Sequence, residues 1–314
     1  DMVYRLAAPA DPETDWSWVK PGQVAWDWWN WWTVTGVDFE TGINTKTYQH
    51  IADFAAEYGI EYILLDEGWA IDGKPLELNP DINLSEIISH AKSKGVGVFL
   101  WMAWDQVEMC FDTIFKQYKD WGVDGVKIDF MDRSDQWMMS WYEKVMKEAT
   151  KHQLLVDFHG SITPKGLERE YPNLVSYEGV RGIENGTDCK PSNSIYLPFI
   201  RNVVGAMDFT PGSMNSLHLE NAHSTPELPS GIGTRAYQMA LYIVFESGVQ
   251  MLADSPSAYR TAPECTKFIS ETPVVWDETR VLNAELGESI VFARRSGDVW
   301  FVGGITDENS REIE

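Results

Sequence analysis

LSEIISHAKSKGVGVFLWMAWDQVEMCFDTIFKQYKDWGVDGVKIDF (residues 84–130) alternates helical stretches with apolar runs. LSEIISHAKSKG (84–95) and FDTIFKQYKDWG (111–122) carry helical apolar spacing. Each closes on a glycine, Gly95 and Gly122, the residue that best takes the left-handed turn at a helix end. VGVFLWMAW (96–104) and GVKIDF (125–130) are apolar without alternation. Strands buried on both faces read this way, as they do in a parallel sheet covered by helices.

The same unit recurs outward from this stretch. Upstream lie QVAWDWW (23–29), the helical TKTYQHIADFAAEYG (45–59) and YILLDEGW (62–69). Downstream come WMMSWYEKVMKEATKHQ (137–153), LLVDFHG (154–160), LVSYEGV (174–180), IYLPFIRNVVGA (195–206), AMDFTPG (206–212), RAYQMALYIVFES (235–247), GVQMLAD (248–254) and CTKFIS (265–270). Eight apolar runs alternating with helical segments predict an α/β chain closed into a (β/α)8 TIM barrel over residues 21–275. No GxGxxG follows the first run, which disfavours the open doubly wound sheet. Residues 1–20 are Pro-containing and read as a lead-in or linker from an upstream domain. ESIVFARRSGDVWFVGGIT (288–306) alternates around Ser296-Gly297-Asp298 and predicts a hairpin. Residues 276–314 therefore read as the start of an antiparallel C-terminal β-sandwich domain.

Composition narrows the function. The formal net charge is −23 over 314 residues, so a phosphate backbone is repelled and nucleic-acid binding is disfavoured. No apolar run reaches the length of a membrane span. Cys110, Cys189 and Cys265 show no CxxC spacing and read as ordinary thiols. There are 15 Trp among 13% aromatic residues. Indole faces stack on the C–H faces of sugars, but they also fill cores, and composition alone leaves both open.

Catalytic groups of such barrels stand at the C-terminal ends of strands. Those ends carry Asp27, Asp66, Glu67, Trp101, Trp104, Lys127, Asp129, Asp157, His159, Glu178, Glu184, Asp208 and Asp254. This ring of carboxylates among tryptophans suits glycoside hydrolysis, in which one carboxyl protonates the leaving oxygen and another attacks or activates water. There is no HExxH and no phosphate-cradling loop.

KPGQVAWDWWNWW, VDFETGINTKTYQHIADFAAEYGIEYILLDEGWA, GVDGVKIDFMDRSDQ and YPNLVSYEGVRGIENG resemble glycoside hydrolase family 97. The resemblance runs through nearly the whole of residues 20–275. It implies an exo-acting α-glycosidase acting on an oligosaccharide or glycoside, with a barrel between an N-terminal β-super-sandwich and a C-terminal β domain. One branch of the family inverts and carries a Glu base just after a His that follows the fifth strand. Here His159 is followed by Gly160. The other branch retains and carries an Asp nucleophile at the end of strand four, as Lys127-Ile128-Asp129 does.

The resemblance thus implies a retaining α-galactosidase with Asp129 as nucleophile and Glu184 as acid/base. Glu178 and Glu184 map to Ca2+ ligands, and a further ligand in the family comes from the N-terminal domain. Asp66 and Glu67, in DEGW, resemble acids that hold sugar hydroxyls in related barrels. Trp26, Trp101, Lys127 and His159 complete the expected substrate contacts. Each has a structural alternative: rim ion pairs for Asp129, Asp66 and Glu67, barrel filling for the tryptophans, and loop solvation for Asp132 and Asp135. An inverting or retaining α-glucosidase of the same family, or a truncated and inactive sugar-binding barrel, are the remaining readings. The family also implies a periplasmic or secreted location; the sequence leaves the oligomeric state open.

Overall fold

The computed structural model describes residues 2–221, 224, 225 and 228–313. Seven parallel strands form one sheet: β1 (Gly22–Trp26), β2 (Tyr62–Leu65), β3 (Gly97–Ala103), β4 (Gly125–Asp129), β5 (Leu155–Phe158), β6 (Leu174–Tyr177) and β7 (Val249–Leu252). Their order is β7-β1-β2-β3-β4-β5-β6, so the last strand returns to the first. The expected barrel is therefore present.

The expected strand in 206–212 is not regular. Between β6 and β7 this segment makes single rungs: Asp208 N–H donates to the Tyr177 carbonyl (2.8 Å) and Ala253 N–H to the Pro211 carbonyl (3.0 Å). Pro211 has no N–H to give, and Thr210 (φ 54°) and Gly212 (φ 116°) lie in the left-handed region. Below the segment β6 and β7 meet directly, with Gly248 N–H on the Val175 carbonyl at 3.0 Å. A Cβ at position 248 would lie 2.5 Å from that oxygen, so the approach needs glycine.

Helices cover the outside. Thr45–Tyr58 and Phe111–Trp121 end on left-handed Gly59 and Gly122, as the sequence predicts. Gln136–Lys151, Arg235–Val244 and Pro263–Ser270 also match expected helices within a few residues. The expected helix at 195–206 is broken into the short turns Leu197–Ile200 and Asn202–Val204. Pro198 within it has no amide hydrogen for a longer ladder. None of the described helices is long and apolar enough to cross a membrane.

Two apolar layers result. The outer layer joins strands to helices through residues such as Ile63, Leu100, Val126, Ile128 and Val156. The inner layer fills the barrel with Val24, Trp26, Tyr62, Leu64, Phe99, Trp101, Leu155, Val175, Val249 and Met251. Strand parity separates the two, because successive side chains point to opposite faces. On β4 this puts Gly125, Lys127 and Asp129 on the interior side.

The ends depart from the barrel. Residues Met2–Leu6 form a short helix inside the expected lead-in, tied down by Arg169, whose Nη1 donates to the Tyr4, Arg5 and Ala7 carbonyls. The expected hairpin is there and gains a third strand. β8 (Glu278–Glu285), β9 (Ser289–Ser296) and β10 (Val299–Thr306) form an antiparallel sheet that packs on the helix Arg235–Val244 through Phe292, Ile290 and Ile305.

The barrel floor is tight. A Cβ at Gly125 would stand 2.3 Å from two ring atoms of Phe99, a ring itself packed edge-on against Tyr62. Gly125→Ala should therefore cost about 1–3 kcal/mol by overpacking. The expected readout is a lower urea midpoint with an unchanged m-value.

Candidate active site

Interior side chains change character along the barrel axis. The floor is apolar. Above it Trp101, Lys127 and Asp157 stand side by side in register on β3, β4 and β5. At the mouth come Asp66, Asp129, His159 and Asp208. The chemistry is thus concentrated at the C-terminal ends of the strands, where barrel enzymes carry it.

Lys127 is buried, and its Nζ lies 3.0 Å from Asp66 Oδ2 and 4.5 Å from the centre of the Trp26 ring. Burial works against its charge, but Asp66, Glu184, Asp129 and Asp208 together raise its pKa above the ordinary lysine value. Trp26 Nε1 donates to the same Asp66 oxygen at 2.7 Å. Asp66 Oδ1 accepts the Glu67 N–H, and the Asp66 N–H faces Asp27. Trp26 is fully buried, so it supports Asp66 and Lys127 from beneath. Glu67 is exposed and, with Trp101, lines a cavity of about 330 Å³ between the loop after β2 and the start of the helix Trp104–Met109.

Asp129 ends β4 inside the mouth. Its Oδ2 accepts from Trp101 Nε1 at 3.0 Å and its Oδ1 from Phe130 N–H at 2.7 Å. Burial alone would raise its pKa, but His159, Lys127 and the Trp101 N–H outweigh it and hold the carboxyl down to about 2. This is a carboxylate kept ionised at any working pH.

His159 stands at the centre of the acids. Its Nδ1 is 3.4 Å from Asp129 and 3.7 Å from Glu178; its Nε2 is 3.6 Å from Glu184 and 3.5 Å from Asp208. Burial and Lys127 oppose charging the ring, yet Glu184, Asp129 and Asp208 raise its pKa well above the histidine norm. Glu178 accepts the Gly160 N–H at 2.7 Å. Burial pushes Glu178 up to about 7; His159 opposes this and Glu184 adds to it. Burial likewise raises Glu184. Asp157 is wholly buried with both oxygens lacking a hydrogen-bond partner, and burial beside Asp208 raises it well above the aspartate norm.

The fold therefore gathers the nine site residues singled out by sequence, Glu178 among them, around one mouth. Asp254 is turned instead to the Met214 and Ser255 amides, a structural role. Asp132 and Asp135 lie on the loop after β4, and Asp135 caps the following helix. The three cysteines are free. Two features were not read from the sequence as part of the site. Phe130 takes a left-handed backbone (φ 67°) next to Asp129, and the glycine at 160 is a spatial requirement. A Cβ there would lie 2.8 Å from Asp129 Oδ1 and 2.6 Å from Phe130 N, so no side chain fits beside the carboxylate without displacing it. Only the tertiary contact carries that signal.

His159, Glu178 and Glu184 bring ligand atoms within 4.8 Å of one another. Calcium takes six to eight oxygen ligands. The two glutamates suit it: Glu184 raises the pKa of Glu178, and Asp129 and Asp208 raise that of Glu184, the mark of like charges that a cation would relieve. The imidazole is not a hard oxygen donor, and its nitrogens already face carboxylates. The remaining ligands would have to be water or other oxygens.

A parallel barrel whose mouth is a ring of carboxylates is the architecture of a glycoside-hydrolase barrel. The model for glycoside hydrolase 97 matches residues 28–180, and that for the glycosyl-hydrolase 97 C-terminal, oligomerisation region matches 275–314. The chain belongs to glycoside hydrolase family 97. A retaining alpha-galactosidase from Bacteroides thetaiotaomicron is 46% identical over 321 aligned positions, covering 100% of this chain and 48% of that protein. A probable retaining alpha-galactosidase from Streptomyces bingchenggensis is 36% identical, covering 95% of this chain and 45% of that protein. The chain spans about half the length of the curated relatives it matches. Among solved structures, a family 97 enzyme from Pseudoalteromonas sp. strain K8 in complex with acarbose superposes with a TM-score of 0.85 at 28% identity, covering 99% of this chain and 53% of that one.

A pH signature follows from the buried acid behind Asp66. Asp27 is fully buried, and burial with the nearby Asp66 pushes its carboxyl up to about 7, although Tyr48 and Trp32 donate to it. The folded state thus keeps a proton that the unfolded chain releases near its ordinary value. Stability from this group is complete below that value and is lost as pH rises toward about 7. In Asp27→Asn the loss disappears, so the melting temperature of the variant relative to the parent should climb between pH 4 and 7. A difference flat across that range would rule out Asp27 as its source.

Proposed function

We propose that the protein is an exo-acting retaining α-galactosidase. The observation that supports this best is the pair Asp129 and Glu184. They face opposite nitrogens of one imidazole, with one carboxyl held far below its ordinary pKa and the other raised. Opposed shifts divide the roles of nucleophile and acid.

In the proposed reaction Asp129 attacks the anomeric carbon of a terminal α-galactosyl residue on the face opposite the leaving group. Glu184 gives its proton to the departing glycosidic oxygen, and a β-galactosyl ester forms on Asp129. Glu184 then takes a proton from water, which attacks the same carbon and frees Asp129, giving net retention. Lys127 and Trp101 N–H keep Asp129 charged and aimed. Asp66, bonded to Lys127 and Trp26, is placed to accept from a sugar hydroxyl, with Glu67 beside it and His159 between the two reacting carboxyls. The inverting reading is disfavoured because position 160 holds glycine and has no space for a base while Asp129 stays in place. The 46% identity to a retaining alpha-galactosidase supports galactose over glucose. Family membership also supports an oligosaccharide or glycoside substrate and a periplasmic or secreted location.

The test is rescue. Asp129→Gly should abolish hydrolysis of p-nitrophenyl α-galactoside, and added azide should restore turnover with β-galactosyl azide as product. Recovery of the α-azide would reassign Asp129 as the acid/base residue, β-galactose as the first product of the parent protein would reassign it as an inverting base, and faster cleavage of the α-glucoside by the parent would reassign the sugar.

Calcium forms part of the same proposal. Glu178 would hold it in part, with Glu184 at or beside it, and when bound it would supply positive charge that favours the ionised carboxylate in which Glu184 acts as base in the second step. Added calcium should raise the melting temperature, as any ligand of the folded state does, and Glu178→Gln should lose that rise. An equal rise in both proteins would move the metal elsewhere.

A further inference from the structure

Phe130 follows Asp129 directly, and its backbone and side chain do separable things. Its N–H turns back onto Asp129 Oδ1 at 2.7 Å. That turn uses a left-handed backbone, φ 67°, which glycine adopts freely and a bulky side chain does not. The hydrogen bond therefore needs no ring, and the ring is strained for some other reason. It does not serve the core, because Phe130 is 52% exposed. Its aromatic contact is edge-on to Trp101, centroids 5.6 Å apart at 76°. Strain of this kind persists where the surroundings or the function require it.

Depth tells which part of a substrate meets the ring. Asp129 and Trp101 are each 6% exposed, and Lys127 and Asp66 lie deeper still. A terminal sugar reacting at Asp129 sits down among these groups. The phenyl ring stands one level higher, at the lip of the mouth. What passes the lip while the terminal sugar is seated is the leaving group.

We propose that the Phe130 ring is the wall on which the leaving-group pyranose of an α-glycoside stacks, making Phe130 a specificity-determining residue for sugar over small leaving groups. The proposal rests on Asp129 as the reacting carboxylate. The leaving group it selects is a pyranose with an apolar C–H face, as in an α-galactosyl disaccharide or longer chain.

The experiment compares two substrates that share the terminal sugar. An α-galactosyl disaccharide has a ring in the leaving group; α-galactosyl fluoride has none. In Phe130→Gly, kcat/KM for the disaccharide should fall more than that for the fluoride by roughly tenfold, mainly through KM, the size expected for one aromatic contact. Phe130→Tyr should restore the disaccharide. The melting temperature of Phe130→Gly should not drop, since the left-handed strain is relieved. Equal losses on both substrates, or no loss on the disaccharide, would overturn the proposal. If the parent protein cleaves neither substrate, the galactosidase reading has failed, and calorimetric titration with α-galactosyl and α-glucosyl disaccharides decides. Weaker binding by Phe130→Gly than by the parent supports the wall. Equal binding, or none to the parent, removes it.

Discussion

A lysine ammonium buried inside the barrel organises everything above it. Lys127 touches Asp66 at 3.0 Å and lies over the Trp26 ring, with Asp129 two residues further along its strand. A buried charge is tolerated only when paired, and removing one partner leaves the other stranded. Here the partners are several carboxylates on different strands. This cation lies among acids that follow β2, end β4 and follow β6, and it helps hold Asp129 and Asp208 below their ordinary values. His159 extends the same arrangement upward, with a carboxylate on each side of its ring. Acids with access to these cations, such as Asp129, are held ionised; those more affected by burial and by each other, such as Glu178 and Asp157, are pushed toward the neutral form.

Backbone geometry completes what charge begins. Left-handed residues cluster just beyond the strand ends: Trp31 and Trp32 after β1, Phe130 and Asp132 after β4, Gly160 after β5 and Thr210 before β7. At each, the chain turns sharply at the mouth instead of running on into a helix. The consequence is clearest at β4 and β5, where the Asp129 carboxylate, the Phe130 amide and Gly160 share a space that admits no further side chain. The choice of reacting carboxylate is thereby a steric matter as well as a chemical one.

Closure of the barrel shows a similar economy. The segment between β6 and β7 is held at single rungs, and its irregularity brings Asp208 wholly inside, against Asp157 and His159. A ladder interrupted by Pro211 and by left-handed Thr210 does not register as a strand, although the apolar run and its acid look like the others in sequence.

The sequence by itself determined the barrel, because strand parity and helix period are local properties: apolar runs, Gly59 and Gly122 at helix ends, and a carboxylate or histidine at successive strand ends can be read one segment at a time. It also determined candidate residues, since being at a strand end is enough to put Asp66, Asp129, His159 and Glu178 at one mouth, whereas Glu184 lies in the turn Ile183–Cys189 beyond β6 and was reached through the family resemblance. Tertiary structure alone decided which of these acids are ionised, since that depends on how far each lies from Lys127 and His159 and on how much water each has lost. It alone decided that 206–212 is an irregular stave, that 195–206 breaks, and that Gly160 must lack a side chain, because each follows from what another part of the chain places against it. Contacts between residues far apart in the chain, such as Trp101 to Phe130 at the lip, set no local periodicity, so no reading of neighbouring residues reveals them.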